Sequence, residues 1–457
     1  MIVMKFGGSS LESAQAIQRV VGIIASRAGR KPVVVVSAMG KTTDRLLAIA
    51  HAAVQGNRAE ALTKLAELQQ FHLGEATQVA PEADRQQLKE FIAEHYVELT
   101  ELIKGLAALG ELTSRTIDAV SSFGERISSY VVTLALRGQG HKAAHVDSRQ
   151  VILTNDRFGE AAPLLELTHA RLNSVVPGLV DEGHIVVMGG FIASTEKGIT
   201  TTLGRGGSDF SASLIGAALG VEEVQIWTDV DGVMSTNPSM IPDAHRVRVL
   251  SFGEASELAY FGAKVLHPST MLPAVKSNIP VRVLNSRRPQ VEGTLIVSET
   301  PPSDAVVKSI AYKEGITVVN VQSTRMLMAH GFLAKIFAVF ERHTTSVDMV
   351  TTSEVSVSLT VDRTERLPEI TQELEAFAQV TSTPKQAIVC VVGEKIRYTP
   401  GVAGKVFEAL NGINVRMISV GASRLNISLV IEESDLHAAV AALHEAFFAQ
   451  VDETVFA

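Results

Sequence analysis

Two short runs near the start of the chain are apolar on both faces. They are Ile2 to Phe6 and Pro32 to Ser37, the second carrying the valines Val33 to Val36. A strand covered on both sides reads as an unbroken apolar run, so both predict buried strands of a parallel sheet. Between them Ile17, Val20, Val21 and Ile24 fall at helical spacing within Ala14 to Ala28, completing a βαβ unit. From Lys41 to about Arg115 the texture changes to Ala, Leu, Glu and Gln, with apolar residues at helical spacing. That pattern predicts a helical subdomain inserted after the second strand. Strand-like runs return at His145 to Asp147, Ile185 to Met188, Val224 to Thr228 and Val281 to Leu284. The whole predicts a three-layer α/β/α domain with a mainly parallel sheet, spanning residues 1–295, with Thr300-Pro-Pro-Ser-Asp304 as linker.

Beyond about residue 305 the units are shorter and they repeat. Gly331-Phe-Leu-Ala-Lys-Ile-Phe recurs as Gly401-Val-Ala-Gly-Lys-Val-Phe. Each copy is followed by an apolar strand (Val347 to Val350, Val415 to Ile418) and then an alternating one (Val355 to Leu359, Leu425 to Leu429). Two α+β modules, 305–385 and 386–457, are expected, each a helix on a small antiparallel sheet. Units this small are expected to pair with their copy or with a second subunit.

Composition narrows the function classes. A chain of 457 residues exceeds one compact core. Its net charge of -8 argues against a nucleic-acid partner. The single cysteine, Cys390, excludes an intrachain disulfide framework and a Cys-rich zinc site. None of the 13 histidines falls in an HExxH spacing, so no metal site of the protein's own is predicted. The start is not patterned as a signal peptide, and no apolar run reaches the ~18 residues needed to cross a bilayer. A soluble, cytoplasmic protein with no membrane partner is expected.

Candidate chemistry sits at the ends of the predicted strands. In Lys5-Phe-Gly7-Gly8-Ser9-Ser10 the glycines would let backbone N–H groups approach an anion, and a lysine at a strand end can bridge phosphoryl oxygens. The motif is not a GxxxxGK[ST] loop, and taken alone it also reads as a turn. Thr200-Thr-Thr-Leu-Gly-Arg205-Gly206-Gly207-Ser208-Asp209 is more specific. An arginine on glycine-flexed backbone suits bidentate capture of a carboxylate, although Asp209 could equally cap the helix that follows. Glu125, beside Gly124, is suited to hold an ammonium or is simply a first-turn glutamate. Thr43 is a candidate hydrogen-bonding group. Thr228, Asp229 and Asp231 lie where a strand ends, the usual place for ligands in open α/β sheets, or form an ordinary Asp-Gly turn. Lys264, in Phe261-Gly-Ala-Lys, is either a surface lysine or a phosphate contact.

These segments, together with Phe123-Gly-Glu125, Gly189-Gly-Phe-Ile, Trp227-Thr-Asp-Val-Asp-Gly and Phe261-Gly-Ala-Lys-Val-Leu-His-Pro, resemble the aspartokinase family of the amino-acid kinase superfold, in family order. The resemblance implies ATP with Mg²⁺ and L-aspartate as substrates, 4-phospho-L-aspartate as product, and a place at the head of the route to lysine, threonine and methionine. It implies that Lys5 and Asp209 are catalytic. Thr43, Glu125, Arg205, Gly206, Gly207 and Ser208 would hold aspartate. Lys5, Gly7, Gly8, Ser9, Thr228, Asp229, Met234, Ser239 and Lys264 fall on nucleotide positions, with Met234 and Ser239 standing where close relatives carry tyrosine and arginine.

The tail looks like tandem ferredoxin-like ACT modules, in particular those of single-function, lysine-sensitive enzymes. That resemblance implies an effector site at Met326, Ala329, Gly331, Phe332, Leu333, Ser346, Val347, Asp348, Thr352, Ser353 and Glu354. Ala329 replaces a serine of close relatives. Lysine is the implied effector, and a homodimer or dimer of dimers through the ACT modules the implied assembly. Two rivals stand beside this reading. One is another amino-acid kinase of the same superfold. The other is a non-catalytic amino-acid sensor, which should have lost Lys5 or Asp209.

Overall fold

The computed structural model describes residues 1–262, 268–323 and 330–457. The chain divides into two units, Met1–Gly232 with Val265–Glu299 and Val233–Lys264 with Thr300–Ala457. Lys264, Met326 and Ala329 lie outside the described residues.

In the first unit the strand Ile2–Phe6 is central, pairing in parallel with Pro32–Val36 on one side and Glu223–Thr228 on the other. Pro32–Val36 pairs in parallel with Ile185–Gly189, and that strand with Ala143–Val146. On the far side Val281–Asn285 adds in parallel to Glu223–Thr228, and Thr294–Val297 turns back antiparallel. The apolar runs of the sequence are explained by what covers each face. Ile2, Met4 and Phe6 join a core with Ile17, Val20 and Ile24 of helix Ala14–Ala25 and with Ile127, Val131 and Leu134 of helix Phe123–Gly138. Val3 is as deeply buried but points the other way, toward helix Gly207–Leu219. That helix packs closely because Gly216 has no side chain; a Cβ there would come within 2.7 Å of Val224. Helix, sheet and helix make the three layers that the sequence predicts.

The expected helical insert consists of Thr42–Val54, Arg58–Val79, Arg85–Leu109 and Ser114–Ser121. Leu88, Ile92, Tyr96, Leu99, Ile103 and Leu106 mark one buried stripe down the longest helix, at the spacing of a single helical face. The insert therefore extends the same core as the sheet, through Leu65, Leu68 and Ala76 of its neighbour. A small side sheet of Leu153–Thr154, Ile192–Thr195 and Thr200–Thr202 leads into the glycine loop.

The second unit is built on an antiparallel sheet in the order Val350–Thr352, Ser356–Val361, Ser309–Gln322, Gln379–Val392, Asn426–Glu432, Val415–Val420. The long strands Ser309–Gln322 and Gln379–Val392 pair along most of their length, so the two repeats share one sheet. Helices Phe332–Arg342 and Leu367–Glu375 accompany the first repeat, Val402–Ala409 and Leu436–Phe448 the second. The apolar strand expected from Val347 is regular only from Val350: at Met349 the amide donates to the Thr360 hydroxyl instead of a backbone carbonyl. Val233–Lys264 belongs to this unit. Ser235 meets His444 at 2.9 Å, and Glu254 forms a buried ion pair with Lys308 at 3.1 Å. Among the described residues no helix is long and apolar enough to cross a membrane.

Candidate active site

The parallel strands deliver their carboxyl ends to one edge of the first unit. Lys5 is the penultimate residue of the central strand. The chain then turns sharply: the Gly7 amide donates to the Trp227 carbonyl at 3.1 Å, and Gly8 opens a short 3₁₀ turn. Gly8 has to be a glycine, since a Cβ would lie 2.7 Å from the Gly40 carbonyl oxygen and 3.0 Å from that of Ala38. The Gly40 amide donates back to the Gly8 carbonyl at 3.0 Å, fastening the loops after the first and second strands together.

The glycine loop approaches from the side sheet. Gly204 and Gly206 take left-handed backbone (φ 74° and 71°), which throws Arg205 outward. Arg205 is exposed and makes no hydrogen bond or ion pair among the described residues. Gly207 starts the helix and Asp209 sits in its first turn, where the helix dipole favours a carboxylate. Asp209 does not cap the helix, whose N-cap is Gly206 with no side-chain cap bond; its Oδ1 lies 2.7 Å from Lys5 Nζ, with the side chains 19% and 11% exposed. Ser208 packs against Gly190, where a Cβ would come within 2.7 Å of the serine Cβ.

Glu125 enters from the first turn of helix Phe123–Gly138 and is 3% exposed. Its Oε1 accepts the Ala38 amide at 3.1 Å, while the buried Oε2 has no partner among the described residues. Burial pushes the carboxyl up to about 8, against the opposing pull of the Ala38 amide and the Lys5 charge. Thr43 lies half-buried in the first turn of the following helix, Thr42–Val54.

Lys5, Gly7, Gly8, Asp209 and Glu125 are thus joined through ion pair, turn and the Ala38–Gly40 loop. Thr228 closes its strand beside them: its carbonyl accepts both the amide and the hydroxyl of Ser286, whose hydroxyl also meets Ser10 at 2.7 Å. Asp229 is exposed; its carboxylate accepts the Thr228 hydroxyl at 3.2 Å and its carbonyl the Asn285 side-chain amide at 3.4 Å. Asp231 is already engaged by Asn285 and Arg288. Met234 and Ser239 belong to the second unit. The Met234 carbonyl accepts the Ser309 hydroxyl, and the Ser239 hydroxyl donates to Asn237.

Two contributions escaped the sequence. Asp118, fully buried, accepts the amide and hydroxyl of Thr202 and the Gly159 amide, and so anchors the strand that carries the glycine loop. Nothing in its spacing marks it. Asn285 and Ser286 end the strand Val281–Asn285 beside Thr228, and the strand-end rule applied to Thr228 would have found them.

In the second unit Gly331 adopts left-handed backbone (φ 79°) ahead of helix Phe332–Arg342. Phe332 is buried with Ile336 and Val339, Val347 packs against the same cluster, and Leu333 is exposed. Asp348 is held by Lys313 at 3.0 Å and by the Tyr260 hydroxyl at 3.2 Å. Ser346, Thr352 and Glu354 are exposed, and Ser353 bonds Ser356 at 2.7 Å.

A lysine and an acid pair at the carboxyl end of the central parallel strand, beside two glycine turns, and residues 1–285 match the amino acid kinase family. This is a kinase of the amino-acid type. Residues 389–447 match an ACT domain. The chain is 41% identical to aspartokinase 2, chloroplastic, of Arabidopsis thaliana, covering 98% of this chain and 84% of that protein. It is 38% identical to lysine-sensitive aspartokinase 3 of Escherichia coli, over 98% and 99% of the two chains. The crystal structure of E. coli aspartokinase III in complex with aspartate and ADP superposes with a TM-score of 0.83 at 36% identity, covering 98% of this chain and all (100%) of that one. The chain belongs to the aspartokinase family.

Proposed function

We propose that this aspartate kinase performs its reaction with the residues gathered at the strand ends, and that its tail reads out lysine. What most supports the reading is the Lys5–Asp209 ion pair, which draws a strand-end cation and the arginine-bearing loop to one place. A side-chain carboxylate oxygen of L-aspartate attacks the γ-phosphorus of ATP, forming the new P–O bond. The bond from that phosphorus to the β-phosphate oxygen breaks, and its electron pair leaves with ADP. No protein base is required, since the attacking carboxylate is ionised at neutral pH. ATP enters as its Mg²⁺ complex, so the metal arrives with the substrate.

Lys5 neutralises charge on the transferring group, with backbone N–H groups of Gly7, Gly8 and Ser9 beside it, and Asp209 holds the ammonium in place. Arg205, exposed and without a side-chain partner among the described residues, takes the aspartate α-carboxylate. Glu125 takes the α-ammonium on its unpaired Oε2, which a buried carboxylate requires. Thr43, Gly206, Gly207 and Ser208 complete that pocket. Thr228 and Asp229 form the nucleotide side within the first unit.

The tail, as two ACT modules (305–385 and 386–457), pairs subunits into a homodimer or dimer of dimers in the cytoplasm. It binds an amino-acid effector around Gly331 and Asp348. Lysine is favoured because the E. coli relative is named lysine-sensitive. A lysine ammonium would share Asp348 with Lys313. The test is an ATP-dependent assay that traps the acyl phosphate with hydroxylamine. Signal with aspartate but not glutamate, suppressed by added lysine, is expected. Equal signal with glutamate would overturn the substrate assignment, and indifference to lysine, threonine and methionine would reduce the tail to an assembly device.

A further inference from the structure

The helical insert contributes three buried polar groups that no step above uses: His72, Tyr96 and Thr42, exposed by 1%, 3% and 1%. They touch in sequence. The Tyr96 hydroxyl lies 2.6 Å from His72 Nδ1, and His72 Nε2 lies 3.1 Å from Thr42 Oγ1. Thr42 Oγ1 in turn lies 2.6 Å from the Met39 carbonyl oxygen.

Valence fixes the direction of this chain. A carbonyl can only accept, so the Thr42 proton goes to Met39 and Thr42 Oγ1 must accept from His72. His72 is therefore the Nε2–H tautomer. Its bare Nδ1 can only accept, and Tyr96 is the donor. Burial holds the imidazole neutral, its pKa lowered to about 3, so this order persists across the working pH range.

The chain ends on the loop that builds the acidic-substrate pocket. Met39 lies between Ala38, whose amide donates to Glu125, and Gly40, whose amide donates to Gly8. Thr42 is clamped on a second side as well. A Cβ on Gly124 would come within 3.3 Å of the Thr42 methyl and 2.6 Å of the Ala38 Cβ, so the loop and the residue before Glu125 are in close contact. With hydroxyl and methyl both committed, Thr42 has one rotamer, and its neighbour Thr43 inherits a fixed position. The partners His72 and Tyr96 come from two different helices of the insert, Arg58–Val79 and Arg85–Leu109.

We propose that His72 and Tyr96 are positioning residues for aspartate: the insert sets the 37–43 loop through a directed hydrogen-bond chain, and the loop sets Glu125 and Thr43. The proposal rests on the reading of Glu125 and Thr43 as aspartate ligands. It predicts a split in kinetics. Breaking the chain should loosen the amino-acid side of the site and spare the nucleotide side, whose candidate residues in this unit sit on the Gly7–Trp227 and Thr228–Ser286 contacts.

The test compares Tyr96→Phe, Thr42→Val and their double variant with Thr42→Ser and with Glu125→Gln, on the full chain. Tyr96→Phe removes one oxygen and Thr42→Val is near-isosteric, so at least one is expected to fold; thermal denaturation checks this. Each single change should raise the aspartate KM by ~10-fold, the scale of one buried hydrogen bond left unmade, with the ATP KM within twofold. The double variant should be little worse than either single, since both cut the same chain. Thr42→Ser, which keeps the hydroxyl, should stay within about twofold of the parent. An unchanged aspartate KM in both folded single variants, while Glu125→Gln raises it, overturns the positioning chain and leaves the pocket standing. An unchanged KM in Glu125→Gln as well overturns the pocket and the proposal with it. ATP KM rising in step with aspartate KM would mean general loosening and also refute it.

Discussion

Lowering the pH should weaken aspartate binding along a line set by one residue. Glu125 is 3% exposed and holds its proton to about 8, because burial disfavours the charged form more than the Ala38 amide and Lys5 favour it. With Glu125 as the proposed ligand of the aspartate ammonium, only the ionised fraction of free enzyme binds productively. One unit below the pKa that fraction is ~one-tenth, and it falls about tenfold for each further unit. The aspartate KM should therefore rise ~10-fold from the alkaline plateau to pH 7, and ~100-fold to pH 6, while the ATP KM stays level. Binding at pH 7 should release ~0.9 proton per aspartate, measurable by calorimetry in two buffers of different ionisation enthalpy. Glu125→Gln should raise the KM at alkaline pH and abolish the slope. A flat wild-type profile between pH 6 and 8, or an unchanged slope in Glu125→Gln, would refute the argument. The same proton has a stability consequence of fixed sign. The folded chain keeps it up to about 8 while an unfolded glutamate releases it near 4.5. Its contribution is therefore full below the lower value and lost as pH rises through the higher.

Other outcomes follow from single contacts. Lys5→Ala should lower kcat by ~100-fold or more with the fold intact, the scale of losing one charge-stabilising donor, and near-normal turnover would remove Lys5 from the mechanism. Arg205→Ala should act mainly on the aspartate KM, and Arg205→Lys should rescue it poorly because a point charge lacks the two-pronged geometry; an effect confined to ATP would reassign the loop. Lys308→Met leaves the Glu254 carboxylate buried without its cation. It should cost about 3–5 kcal/mol, read as a fall in the denaturation midpoint, and an unchanged midpoint would refute the argument.

The amino-acid order alone carried the central strands, because a run such as Val33 to Val36 has no polar face and can only lie between two layers. It also carried the insert, whose stripe from Leu88 to Leu106 keeps one helical face over its length. The glycine-loop arginine and the strand-end lysine stood out as candidates because glycine beside a charge marks backbone that can approach an anion. What the order could not contain is adjacency. Lys5 and Asp209 are separated by most of the kinase body and meet at 2.7 Å only because the central strand pairs next to Glu223–Thr228 and the following layer lays Gly207–Leu219 across it. Asp118 and His72 look like ordinary helix residues until burial removes water and obliges each polar atom to find a partner within the protein. Glu125 makes the division plain. Its place beside a glycine at a helix start was visible in the sequence, but its raised affinity for a proton comes from the walls that folding builds around it, and those walls are set by tertiary packing.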